Sequence, residues 1–254
     1  MNGLLHHINE GPGAQNLQAR ALAFSALYHE ARTKENRLYT DEQLNRLPEI
    51  ERTHPYHSEW TLRRQTATKL INYLLSFKTN LKILEVGCGN GWLSAKLAGI
   101  PGSIVVGCDI SQPELQQAKR VFSNRFNLRF AFGDIRFMEF FEMQFDIIVF
   151  AASIQYFSPF ENVISSALKM LDRKGEIHIV DSHLYPLHAI EKAQLSTGEY
   201  YRNLGIPEMA SYYFHHGLHE LDIFNSAYLA RGHNPINRLL GKPSPFPWIR
   251  IKHP

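Results

Sequence analysis

The chain has 254 residues, 44% hydrophobic and 20% charged, with a formal net charge of +3, which suits one large α/β domain with additions or two small domains. No run of five Lys/Arg occurs, so a phosphate-tracking arm and a nucleic-acid partner are not expected; nor is a metal, since the two cysteines, Cys88 and Cys108, form neither a disulfide framework nor a ligand cluster. There is no apolar stretch near the roughly 18 residues of a membrane span and no basic-then-apolar leader, so the expectation is a cytoplasmic protein, monomer or homodimer, with no membrane partner.

Residues 1–14, with Gly11, Pro12 and Gly13, read as loosely attached. Over 16–31, Leu17, Ala21, Phe24 and Tyr28 fall at helical spacing. Residues 32–57 are polar and turn-rich and close on His54-Pro55-Tyr56-His57. Ser58 is placed to cap a helix reaching 77, whose stripe of Ala67, Leu70, Ile71, Leu74 and Leu75 needs a sheet to cover. The apolar segments 82–86, 103–109, 128–132, 145–150 and 175–181 read as five short strands. Between the first two, 87–91 is a glycine turn and 92–98 a helix. Ser111 with Glu114 has the spacing of a capping box for the next helix, which carries Leu115, Ala118 and Phe122 on one face. Ser158 with Glu161 forms a second such pair, with Pro159 at the expected first helical position. The helix after it offers Phe160, Val163, Ile164, Ala167, Leu168 and Leu171 to a core. Beyond the fifth strand come a helix over 189–204, an aromatic and histidine run at 212–216, and two further strands at 224–229 and 247–252, joined by a Gly/Asn/Pro-rich connection.

Short strands alternating with amphipathic helices mean βαβ units and a parallel sheet. The chain therefore divides into a helical N-terminal extension or cap, 1–65, and a main domain, 66–254, with a lid-like insertion at about 184–220.

The chemistry gathers at Glu85-Val86-Gly87-Cys88-Gly89-Asn90-Gly91, an E-x-G-x-G-x-G run that follows a strand and opens a helix. Glycine there permits positive φ and lets a ligand approach the backbone. In open α/β sheets that ligand sits at the carboxyl ends of the strands. A dinucleotide site wants a third small residue where this chain has Trp92, and no G-K-[ST] follows for a P-loop.

This run resembles motif I of the class I S-adenosylmethionine (SAM) dependent methyltransferases, of the methyltransferase 11/12-like type that acts mostly on small molecules. Further motifs fit in order. Asp109 ends the second strand 18 residues past Gly91, and Gly133-Asp134-Ile135 ends the third. Residues 150–156 (FAASIQY) end the fourth and lack the N/D-P-P-Y/F motif of many nucleic-acid or protein amide methyltransferases.

The resemblance implies a Rossmann-like, doubly wound α/β sheet of seven strands, mostly parallel with an antiparallel C-terminal strand. It implies SAM as cofactor and a small-molecule substrate. Cofactor contacts fall at Glu85, Gly87, Cys88, Gly89 and Gly91 in the turn, Asp109 at the ribose with Ile110 next to it in the chain, Asp134 and Ile135 at the adenine, and Ala151 at the methionine end. Asp109 also reads as a strand-end acid, Asp134 as a turn residue and Cys88 as a loop filler. For catalysis, His183 beyond the fifth strand, His215 in the aromatic run and Tyr156 are the candidates, with His216, His54 and His57 behind them. A module that keeps the fold and the cofactor without doing chemistry is the alternative, since no single base stands out. A nicotinamide-dependent oxidoreductase is the third reading, opposed by Trp92.

Overall fold

The computed structural model describes residues 12–77, 80–136, 143–232 and 244–254, and within the first helix the side chains from Ala21 onward. The elements run α1 (Pro12–Lys34), α2 (Asp41–Arg46), α3 (His57–Leu74), β1 (Lys82–Val86), α4 (Trp92–Leu97), β2 (Ile104–Asp109), α5 (Gln112–Val121), β3 (Leu128–Phe132), β4 (Phe145–Ala151), α6 (Phe160–Met170), β5 (Leu171–Val180), α7 (Leu187–Asn203), β6 (Asn225–Ala230) and β7 (Trp248–Lys252). The expectations for residues 1–11 and for most of the connection before β7, residues 233–243, lie outside the described residues.

One seven-stranded sheet has the order β3-β2-β1-β4-β5-β7-β6. β1 pairs in parallel with both β2 and β4, and β7 is antiparallel to both β5 and β6. This is the doubly wound sheet expected from the sequence. Strand order reverses between β1 and β4, which opens a crevice at their carboxyl ends. The register sets Val86 level with Cys108 and Phe150, so the turns after β1, β2 and β4 converge at one edge.

Successive strand residues serve opposite faces. Ile83, Val105 and Ile147 pack with Trp60, Ala67, Leu70 and Leu74 of α3 and Leu93 and Leu97 of α4. Leu84, Val106 and Ile148 pack under Phe160, Val163, Ile164 and Ala167 of α6. Both faces being covered explains why the strands read as continuous apolar runs. A third, smaller cluster of Phe24, Ala31, Tyr201, Ile206 and Met209 ties α1 to α7 and to the 3-10 turn Pro207–Tyr212, with Ile110 and Tyr156 against it. The N-terminal helix and the insertion after β5 thus form a roof over the carboxyl edge, while α3 belongs to the sheet below.

Several helix starts differ from expectation. α3 begins at His57 behind Tyr56, and no side chain caps it, so Ser58 lies inside the first turn. The box at Ser111 and Glu114 does not form: the Ser111 hydroxyl is buried without a partner, and the Asp109 carboxylate accepts the Ser111 N–H at 2.7 Å. Pro159 precedes α6 as its capping residue instead of opening it, again with no side-chain cap. A true capping box sits in the stretch read as turn, where Thr40 and Gln43 bond reciprocally at the start of α2.

A buried polar cluster joins β5 to β7 and α3. Glu176, with a side chain only 4% exposed, accepts from Tyr73 at 2.7 Å and from the Lys252 ammonium at 2.7 Å, and faces His178 at 3.3 Å. The His178 Nδ1 accepts from the Trp248 indole at 3.1 Å, which assigns the ring proton to Nε2, facing Glu176. Removing one partner of a buried pair strands the others. Glu176→Ala is expected to cost about 3 kcal/mol in urea unfolding. Glu49→Ala, on an exposed pair with Arg64, is expected to cost less than about 0.5 kcal/mol.

Candidate functional site

β1 delivers the chain into a turn whose glycines at 87, 89 and 91 hold φ of +69°, +52° and +75°. The N–H groups of Gly87 and Cys88 both donate to the Cys108 carbonyl, at 2.8 and 3.0 Å, fastening the turn to the end of β2. At Gly87 a Cβ would come within 2.6 Å of the Ser153 Cβ, and the Ser153 hydroxyl donates to the Val86 carbonyl at 2.6 Å. The turns after β1 and β4 therefore touch across the crevice. Trp92, opening α4, is buried edge-on against Trp60 with ring centroids 5.3 Å apart, filling the place a dinucleotide fold keeps small.

Three carboxyls surround this turn. Asp109 accepts from the Gly89 N–H and the Ser111 N–H, at 2.7 Å each; burial raises its pKa, and these backbone donors pull it back. Glu85 is 2% exposed and accepts from the Ser94 hydroxyl; burial pushes its carboxyl up to about 8. Glu114, expected to cap α5, lies instead against Gly89, where burial and then the Asp109 charge push it to about 7. Asp134 is gripped by Arg136, whose Nε and terminal nitrogen reach its two oxygens at 3.0 and 2.5 Å, and the same guanidinium donates to the Ser158 carbonyl at 2.5 Å. Ile135 is buried beside it, Ile110 packs under the roof, and Ala151 ends β4. Cys88 is buried inside the turn, and burial pushes its thiol well up, which disfavours the thiolate.

Beside the crevice, under the roof, lies a cavity of about 310 Å³. Ala152, Gln155 and Tyr156 form its floor, and arginines from α1, the loop after it and α3 enter its wall: Arg32, Arg37 and Arg63. Tyr156 stands at the centre, edge-on to Tyr28 and Tyr213 and 5.4 Å from Phe24. His215 lies one layer behind, bonded to Thr197 at 2.9 Å and tilted against the Tyr213 ring at 5.1 Å, and burial lowers its pKa. His216 is buried on the Ile154 carbonyl and beside Glu220. His183 is exposed, 4.6 Å from the Phe246 ring, and does not line the cavity. His54 and His57 stay at the foot of α3, His54 accepting from the Tyr56 N–H. Sequence reasoning missed Arg32, Glu35, Arg37 and Arg63. The one local signal was the spacing of Phe24, Tyr28 and Arg32, which share a face of α1.

Among the described residues no group of three His, Cys, Asp or Glu is placed to hold a metal, and no helix is long and apolar enough to cross a membrane.

Residues 83–175 match the family model of a methyltransferase domain. A malonyl-[acyl-carrier protein] O-methyltransferase of Priestia megaterium is 30% identical over 126 residues, which are 48% of this chain and 45% of that protein. The chain spans about half the length of the curated relatives it matches. The YcgJ protein of Bacillus subtilis superposes with a TM-score of 0.59 at 14% identity, covering 75% of this chain and 99% of that one. Magnesium protoporphyrin IX methyltransferase of Synechocystis, solved with S-adenosylhomocysteine (SAH), superposes at 0.55 with 16% identity, covering 82% and 92%.

Proposed function

We propose that this chain, whose residues 83–175 match a methyltransferase domain, is a class I SAM-dependent methyltransferase that binds SAM over the 87–91 turn and transfers the methyl group to a small molecule seated under the roof. One observation carries this reading: the glycine turn, Asp109 and Glu85 meet at the β1/β4 crevice, and an open cavity lies beside it at Ala152 and Tyr156.

The residues fit the cofactor. The Asp109 oxygens accept the Gly89 and Ser111 N–H groups, one on each, and a carboxylate has further acceptor capacity for ribose hydroxyls. Gly87 and Gly89 hold the positive φ that shapes the turn, with the Ser153 and Glu114 side chains packed where their Cβ atoms would lie. In this reading Asp109 binds the ribose, Ile110 and Ile135 flank the adenine, and Asp134 accepts from its amino group while Arg136 holds the carboxylate still. Glu85 lies beneath the cationic end and Ala151 lines the methionine portion. When bound, SAM supplies a methyl group on a sulfonium. The protein's own work is orientation and exclusion of water, and effective molarities from such positioning amount to about 7–11 kcal/mol. Tyr156 faces the acceptor and His215 backs it. His183 lies outside the cavity lining, so this reading gives it no role.

A cavity of about 310 Å³ suits a small acceptor. The relative that methylates malonyl-[acyl-carrier protein] acts on a small acyl group carried by a protein, which the same pocket size allows. Calorimetric titration with SAM and SAH is expected to show one site with Kd below about 100 μM, about −5.5 kcal/mol or better. Transfer of labelled methyl into a metabolite extract then separates an enzyme from a binding module of the same fold. An absence of SAM and SAH binding would remove the whole reading.

A further inference from the structure

We propose that the acceptor is a small carboxylic acid, bound as its carboxylate on Arg32, and that this carboxylate is the group methylated. The inference rests on the function proposed above and deepens it.

The first observation is charge. Arg37 forks Glu59 at 2.9 and 2.7 Å and Arg63 reaches the same carboxylate at 2.9 Å, so one anion serves two guanidinium groups. Glu35 bonds Arg32 at 2.9 Å and is shared with Arg37 at 3.3 Å and with the Tyr200 hydroxyl. Arg32 thus shares its carboxylate partner, Glu35, with Arg37 and Tyr200, and a carboxylate ligand would add an anion to a wall that carries three arginines.

The second observation is donor polarity. Arg32 lies 4.6 Å above the Tyr28 ring, with its side chain 19% exposed. Tyr156, Tyr201 and Tyr213 reach the same cavity from three different elements. Their hydroxyls make no hydrogen bond to another described residue. Burial drives the Tyr28, Tyr201 and Tyr213 phenols well above their usual range, so they stay protonated and can only donate to an anion. A guanidinium ringed by phenol donors is complementary to a carboxylate.

The third observation is the lack of a base. Among the described residues no histidine lines the cavity, and the carboxylate that does, Glu35, is held by Arg32, Arg37 and Tyr200. A hydroxyl or ammonium acceptor must lose a proton on methylation. A carboxylate has none to lose. One carboxylate oxygen forms the new bond to the methyl carbon, the carbon–sulfur bond breaks with its electron pair left on sulfur, and the products are a methyl ester and a neutral thioether. The negative and positive charges cancel and no proton moves.

SAM carries a carboxylate of its own, so the arginines have two claimants, and the test separates them. Benzoate, cinnamate and octanoate are titrated into the SAH complex of wild type, Arg32→Ala and Arg32→Lys, with SAH affinity measured first on each. The expected result is saturable binding of at least one acid to wild type, weakened about tenfold or more in Arg32→Ala and less in Arg32→Lys, which keeps the charge but loses the fork. SAH affinity is expected to stay within about threefold, and that binding also reports that the variants are folded. Product from methyl-labelled SAM and a metabolite extract should release its label as volatile methanol on mild alkali. SAH binding with no binding of any acid, label that survives alkali, or a loss in Arg32→Ala that falls on SAH alone would each overturn the carboxylate and leave the methyltransferase standing. Loss of SAH binding in the wild type would overturn the parent reading instead.

Discussion

Asp109→Ala is expected to weaken SAM binding by about a hundredfold or more, and Asp109→Asn by an intermediate factor. The carboxylate has two tasks. It clamps the glycine turn by accepting the Gly89 N–H, and it anchors the start of α5 by accepting the Ser111 N–H, both at 2.7 Å. Its remaining lone pairs point to the proposed ribose. Hydrogen bonds to a charged acceptor contribute about 1.5–3 kcal/mol each. Two lost at the ligand amount to roughly the stated hundredfold, and the loosened turn adds to it. Asparagine keeps one acceptor oxygen, so it can hold either Gly89 or Ser111, while its amide faces the other N–H unfavourably. Calorimetry with SAH and thermal unfolding separate the tasks. A variant that melts lower yet binds SAH like wild type would confine Asp109 to clamping and would move the cofactor away from the end of β2.

The sheet was legible because its code is local. Pairs such as Ile83 and Leu84, or Ile147 and Ile148, bury on opposite faces, and only a strand covered on both sides tolerates that. The glycine turn was legible for a related reason: a positive φ three times in five residues demands Gly87, Gly89 and Gly91 at fixed spacing. The helix starts were misread where a side chain answered to the site instead of its own helix. Glu114 has the spacing of a capping box, yet it lies against Gly89, and the Ser111 N–H that the box would have given it goes to Asp109 instead. The acceptor wall was illegible since its members are far apart in sequence. Phe24 meets Tyr212 at 5.7 Å, and Tyr200 bonds Glu35. No period in residues 12–34 announces that its aromatic face will cover a crevice built by residues 85–156. The two histidines adjacent in the sequence, 215 and 216, part in the fold: His215 bonds Thr197 behind the cavity, and His216 is buried on the Ile154 carbonyl.

The apoprotein should be most stable near pH 5 and lose stability steadily as the pH rises to about 8.5, with Glu85 the largest single contributor. Burial lifts the Glu85 carboxyl from 4.5 to about 8, so the folded state holds this proton more tightly than the unfolded chain does. The stability it contributes is therefore fully present below 4.5 and lost as pH rises through 8. At about 1.4 kcal/mol per unit of difference, the loss is on the order of 4 kcal/mol. Glu114, near 7, and Asp181, near 6, act in the same direction over narrower windows. Glu59 and Glu176, both lowered to about 2, act the other way: their stabilisation is present above 4.5 and is lost as pH falls toward 2. The maximum lies between the two sets. Glu85→Gln removes the titrating group and keeps the shape, so its stability should fall much less between pH 5 and 8.5, measured by urea unfolding at each pH. A cationic ligand above Glu85 favours the ionised carboxyl, so SAM binding at pH 7 should expel close to one proton in wild type and none from this position in Glu85→Gln. Calorimetry in buffers of different ionisation enthalpy counts that proton. Equal slopes in the two proteins would place the titrating group elsewhere. A proton count unchanged by the substitution would mean that the cationic end of SAM does not lie over Glu85.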